Sequence, residues 1–225
     1  MKTPLHFGIA LRTLSFASLF AATSAWSAVV WTFNPTSANA PVGSTSRTYT
    51  SSGFQIIARA YDNPTNTPHA LYFKNEAPYN GAIETGLGLV NTASNEFNSG
   101  PLNYLQLDLR SILGLGFTNG QIKVGSLQNG EGFQLFGSNV QGTLGTAIGG
   151  AFTGLAFDNQ FVSIPSFGAF QFISIAAATG NVLPIAFAAD LTPIPEMSTL
   201  LPIVGLVGAA SMLHLMRRRR SASAT

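Results

Sequence analysis

Cysteine is absent from this chain of 225 residues, and charge is scarce, with Asp, Glu, Lys and Arg making up 9% of it. The missing thiols exclude disulfide staples, thiol nucleophiles, cysteine-based zinc sites and redox switching together. Histidine is almost as rare: of 3 in the chain, only His69 lies between the two terminal segments. A general base needs a nucleophile within reach and a third group to orient it. Neither a G-x-S-x-G elbow nor an H-E-x-x-H motif accompanies His69. The chain therefore reads as a non-enzymatic protein, with no catalytic residue assigned. Sustained 3.6-residue hydrophobic periodicity is also missing from the central region, which argues against a helical domain. No internal repeat of fixed period is present, so a propeller or solenoid is disfavoured.

Positive charge is missing from the centre as well, although the whole chain is basic. Its net charge is +2 and its isoelectric point about 9.2. Between Ala28 and Thr192 there are five cations (Arg47, Arg59, Lys74, Arg110, Lys123) against eight carboxylates, a net charge of −3. The basicity belongs to the ends, and no basic patch remains to grip phosphates, which excludes nucleic acid as a partner.

The two ends carry the strongest signals. Lys2, His6 and Arg12 form a weakly basic start, and Leu14 to Ala22 is a short apolar core. Ala25-Trp26-Ser27 then offers small residues for cleavage between Ser27 and Ala28, with Thr23-Ser24-Ala25 as the fallback. That order of features is a secretory signal peptide over residues 1–27. At the other end, Pro193-Ile194-Pro195-Glu196-Met197-Ser198-Thr199 precedes an apolar run of 17 residues from Leu200 to Met216. As a helix the run spans about 25 Å, at the short end of the roughly 17–25 residues that cross a bilayer. Arg217, Arg218, Arg219 and Arg220 follow as a cytoplasmic stop.

The region left between, residues 28–192, is one domain of ordinary size, large enough to bury about two-thirds of its surface without covalent help. It reads as short strands separated by turn chemistry. Ala28 to Asn34, Arg47 to Thr50, Gly53 to Tyr61 and His69 to Lys74 are strand-like, with Asp62 to Pro68 a turn cluster. Phe54, Ile56, Ala58 and Ala60 share one face by the period of two, as do Leu105, Leu107 and Leu109 opposite Tyr104, Gln106 and Asp108. Glu76 to Gly100 reads as a long irregular stretch, and Ser111 to Leu115 as a helical turn. Asn119-Gly120 and Asn129-Gly130 each lie between strand-like runs, the strongest short-range hairpin signal. Thr143 to Ile148, Phe152 to Phe157 and Gln160 to Ile164 are weaker strands, and Ala169 to Ala176 turns at Thr179-Gly180-Asn181 into Val182 to Ala189. Ten or so such strands predict an all-β fold, a single antiparallel β-sandwich of jelly-roll kind.

Chemistry-bearing residues are few. Glu84 with Glu96, or Asp108 with Glu131, are the carboxylate pairs a glycosidase would need about 5–9.5 Å apart. Calcium, which takes carboxylate, amide and carbonyl oxygens on loops, finds Glu84, Asn91, Asn95 and Glu96 in the irregular stretch, without a D-x-[DN]-x-[DN]-G loop. It is the one cofactor expected, if any. Trp31, Tyr61, Tyr72 and Tyr79 are aromatics that would stack on sugar rings if exposed.

Taken together, Pro195, Glu196, Ser198 and Thr199, then Leu200 to Met216, then Arg217 to Arg220, resemble the PEP-CTERM sorting signal of Gram-negative bacteria. Met197 stands where that family usually has proline. Gly86-Leu87-Gly88-Leu89 followed by Asn95-Glu96-Phe97 is more loosely similar to a segment that many such proteins carry. The resemblance implies export by the general secretory machinery and transient anchoring in the inner membrane. It further implies processing near Pro195-Glu196 by an exosortase, and delivery to the cell surface or extracellular matrix. Such proteins are associated with exopolysaccharide and biofilm. The alternative is a permanently anchored ectodomain with carbohydrate-binding or glycoside hydrolase activity, the tail serving as a stop-transfer helix.

Overall fold

The computed structural model describes residues 27–33, 40–76, 84–100, 102–192 and 210–212. The residues expected to form a sorting motif (Pro195, Glu196, Ser198 and Thr199), the arginines 217–220, most of the apolar run and residues 1–26 of the expected signal peptide lie outside them. Ser27 and Ala28, the residues flanking the expected cleavage, are described. Among the described residues, no helix is long and apolar enough to cross a membrane.

The strands run β1 (Ser27–Thr32), β2 (Ala40–Pro41), β3 (Ser46–Ser51), β4 (Phe54–Asp62), β5 (Thr67–His69), β6 (Leu71–Glu76), β7 (Glu84–Leu89) and β8 (Phe97–Asn98). They continue as β9 (Asn103–Asp108), β10 (Phe117–Gly125), β11 (Gly132–Ser138), β12 (Thr146–Ala147), β13 (Phe152–Thr153), β14 (Gln160–Ser163), β15 (Phe172–Thr179) and β16 (Asn181–Leu191). One turn of helix, α1 (Arg110–Leu113), overlaps the predicted helical turn at Ser111 to Leu113 and starts one residue earlier. One sheet has the order β1-β16-β10-β14 with β8 added to β16; a second runs β12-β11-β15-β9-β4-β3 with β13 and β5 at its margins. A third, small sheet is β2-β6-β7. The strand pairings are antiparallel.

Apolar faces of all three sheets meet in one core: Trp31 and Phe187 from the first, Ile56, Leu107 and Ile175 from the second, Phe73 and Leu87 from the third. The expected faces of β4 and β9 are both in it. The all-β, sandwich-like reading therefore holds.

Three local expectations are corrected. Asn119-Gly120 does not end a strand; β10 runs through it, and the register on β16 shifts between Thr118 and Gln121. The pair forms a bulge because Asn119 takes φ +51° and a Cβ at Gly120 would fall 2.1 Å from the Phe167 ring. Asn129-Gly130 is a turn, closed by Glu131 N–H to Gln128 C=O at 3.1 Å, but it joins no hairpin. It carries the chain from β10 in the first sheet to β11 in the second, as Thr179-Gly180-Asn181 carries it back from β15 to β16. Local turn chemistry specifies a reversal; only the core determines whether the returning strand pairs or crosses. Lastly, Glu76 to Gly100 is not wholly irregular, since Gly86-Leu87-Gly88-Leu89 lies inside β7.

Candidate functional site

β6 and β7 pair so that Lys74 faces Gly86 and Tyr72 faces Gly88. Facing residues share one side of a sheet, so Lys74, Glu84, Gly86 and Gly88 point one way, and Phe73, Leu87 and Leu89 point into the core. The glycines decide what covers that other side. A Cβ on Gly86 would lie 2.7 Å from both Leu183 Cγ and Pro184 O, and one on Gly88 only 1.8 Å from Asn95 O. Only backbone that is free of side chains lets β16 and the turn before β8 rest directly on β7. That contact brings the Glu96 carboxylate down beside Lys74.

The result is a closed ring of polar groups inside the protein. Lys74 Nζ donates to Glu84 Oε2 at 2.6 Å and to Glu96 Oε1. Ser126 Oγ lies 2.9 Å from Glu84 Oε1 and 3.0 Å from Glu96 Oε2. The Lys74 and Glu96 side chains are 7% and 4% exposed, and that of Glu84 19%. Ser126 reaches in from a left-handed backbone conformation, φ +62°, which a non-glycine residue adopts at some cost.

The two acids are pushed apart. Burial raises the Glu96 carboxyl, and although Lys74 opposes this, the result stays above the usual carboxylate value. Burial also acts upward on Glu84, but the hydrogen bonds from Lys74 and Ser126 outweigh it and hold it below that value. Lys74 is depressed by burial and raised more strongly by its two carboxylate partners, so its ammonium form is favoured.

Of the residues assigned to calcium, the structure brings Glu84 and Glu96 together, with the Lys74 ammonium bonded to both. Asn91 and Asn95 take left-handed backbone in the turn ahead of Glu96, with φ +60° and +53°. Among the described residues, no group of three or more His, Asp or Glu is arranged to hold a metal ion.

The other candidates are drawn into the framework. Asp108 accepts from Arg59 at 3.0 Å and from Arg110 Nε and Nη2 at 2.9 and 2.8 Å, whereas Glu131 binds the backbone N–H groups of Gln128 and Asn181. His69 places Nδ1 2.9 Å from Asp62 Oδ1 and Nε2 2.7 Å from the Val90 carbonyl. A carbonyl only accepts, so Nε2 carries a proton there, and the ring clasps the end of β5 to the residue that follows β7. Trp31 and Tyr61 are buried rather than displayed; Tyr72 is half-buried, and Tyr79 lies outside the described residues.

Sequence reasoning singled out Glu84 and Glu96 but missed Lys74 and Ser126. A lysine inside the apolar run His69 to Lys74 was the available signal for the first. Ser126 had none, since its role depends on β10 ending over β7. No protein-family profile, curated protein or solved structure matches this chain.

Proposed function

We propose that the protein is a non-enzymatic, exported component of the cell surface or extracellular matrix, delivered by its C-terminal signal and linked to exopolysaccharide or biofilm. The observation that carries this reading is the tripartite tail, Pro195-Glu196 with Ser198-Thr199, then the apolar run Leu200 to Met216, then Arg217 to Arg220. In this reading Pro193 and Pro195 would disfavour regular structure ahead of the apolar run, because proline fixes φ and lacks a donor. An extended segment is what a membrane protease takes into its cleft. An exosortase, the secretory machinery and the inner membrane as a transient anchor are the partners of this route. A jelly-roll sandwich, acidic and free of cysteine, is the exported part.

Inward-turned acids favour this over the hydrolase alternative. Glu84 and Glu96 face a lysine in the interior instead of a substrate cleft. The test is the intact mass of the mature protein recovered from the cell that makes it. Processing predicts a C-terminus near Pro195-Glu196. Retention of Arg217 to Arg220 on the surface form would refute sorting and leave the permanently anchored ectodomain.

A further inference from the structure

The ring formed by Lys74, Glu84, Glu96 and Ser126 has hydrogen-bond positions for one proton more than a simple ion pair requires. Ser126 Oγ lies within hydrogen-bond distance of an oxygen from each carboxyl group, yet a hydroxyl has one hydrogen to donate. Both contacts are satisfied when one carboxyl is protonated, donates to Oγ, and Oγ donates to the other. Burial identifies Glu96 as the protonated acid, since its side chain is 4% exposed against 19% for Glu84. The ring then reads Lys74 ammonium, Glu84 carboxylate and Glu96 carboxylic acid, with no net charge.

We propose that Lys74 and Glu96 condense to an intramolecular isopeptide bond, with Glu84 as the proton acceptor and donor for the step. An amine, an un-ionised carboxyl carbon and a carboxylate base in mutual contact are the groups that amide formation needs. The Lys74 ammonium passes a proton to Glu84 Oε2, and the freed amine attacks Cδ of Glu96. Glu84 takes a second proton from the attacking nitrogen as it returns the first to the departing hydroxyl. The Nζ–Cδ bond forms, the Cδ–OH bond breaks and one water leaves. The amide keeps one hydrogen, the water carries two and Glu84 retains one. These four are the three of the ammonium and the one of the acid. Charge remains zero, nothing is oxidised or reduced, and no cofactor takes part.

The surroundings favour the product. An ammonium and a carboxylate buried together carry a desolvation penalty that a neutral amide escapes. Exclusion of water opposes hydrolysis, and the partly exposed Glu84 marks the exit for the water released. The bond would tie β6 to the turn ahead of β8, closing a loop between residues 22 apart in sequence, in a chain with no cysteine to do so.

Peptide mapping by mass spectrometry of the purified full chain decides the matter. The expected result is a deficit of one water in the tryptic peptide spanning residues 60–110, left uncut after Lys74, and a second cleavage between Lys74 and Glu96 should turn it into a branched peptide joining the segments that hold them. Glu84→Gln keeps the side-chain shape and removes the base, so its Lys74 and Glu96 peptides should appear separately at full mass. Separate, unmodified peptides from the unsubstituted protein overturn the proposal, whatever the variant does. A branched peptide that persists undiminished in Glu84→Gln overturns the assigned role of Glu84. Because the readout is internal, it is independent of where the C-terminal tail is cut.

Discussion

Asp108 illustrates how a single acid can be committed to the framework. Its carboxylate is 5% exposed and meets guanidinium groups from Arg59 and Arg110, while Arg110 also lies 5.0 Å over the Phe172 ring. Burial works upward on this carboxyl, but the bonds from Arg110 and Arg59 prevail and hold it below the usual value. A depressed acid contributes stability that is complete above the unfolded pKa, about 3.9, and is lost as pH falls through the native one. Urea midpoints measured from about pH 5 downward should therefore drop less steeply for Asp108→Asn than for the unsubstituted protein. Parallel acid limbs would show that Asp108 does not set them. Lys74 makes a larger claim. Lys74→Met leaves the buried Glu96 and the partly exposed Glu84 without their shared cation, and such a loss costs about 3–5 kcal/mol, readable from the same titration at neutral pH. Removing Glu84 and Glu96 as well, as glutamines, should recover part of it. Both acids were visible in the sequence because so few exist. Their lysine was hidden because charge in a strand normally faces solvent, and here the second side of the strand is covered too.

At the level of elements, β7 is the clearest case of composition acting through geometry. Its glycines and leucines alternate, and the alternation separates two packing surfaces. Leucines enter the core while glycines admit neighbouring backbone. Gly88→Ala would place a methyl 1.8 Å from the Asn95 carbonyl. Overpacking costs about 1–3 kcal/mol, and the turn cannot retreat without withdrawing Glu96. A lowered thermal midpoint is expected, together with faster amide exchange over β7 and the turn before β8. An unchanged midpoint would mean the turn does not rest on β7. The strand-turn alternation was legible for β3 and β4, where Ser52-Gly53 closes a true hairpin, whereas β5 begins inside the expected turn cluster and pairs with β4 across the Asn63 to Asn66 turn. It misled at Asn119-Gly120, where Phe167 fills the space over the glycine and β16 pairs on both sides of the bulge. Amide exchange should accordingly be slowest in β9 and β15, which have neighbours on both edges, and fastest in the two-residue strands β12 and β13 at the margin. Uniform protection across that sheet would contradict the layering.

For the molecule as a whole, charge and anchorage separate. The basic isoelectric point comes from the ends, while the sheet region is mildly acidic. Its most buried acids are already matched internally by Lys74 and by two arginines. With these oxygens engaged, adding millimolar Ca²⁺ should leave the thermal midpoint unchanged, because only a ligand that prefers the native state raises it. A clear upward shift would reinstate the loop oxygens of Glu84, Asn91, Asn95 and Glu96 as a site.

The sequence by itself determined the class of the fold, with strands from period-two patterning and a cysteine-free core from composition; its two ends carry the proposed export and sorting route. These are local properties, readable from a few adjacent residues. Only the tertiary structure decided which turns become hairpins and which cross between sheets, and that Lys74, Glu84, Glu96 and Ser126 form one ring. Those outcomes depend on long-range contact between surfaces. A buried charge is tolerated only where partners distant in the chain arrive to meet it, and no local pattern specifies that meeting.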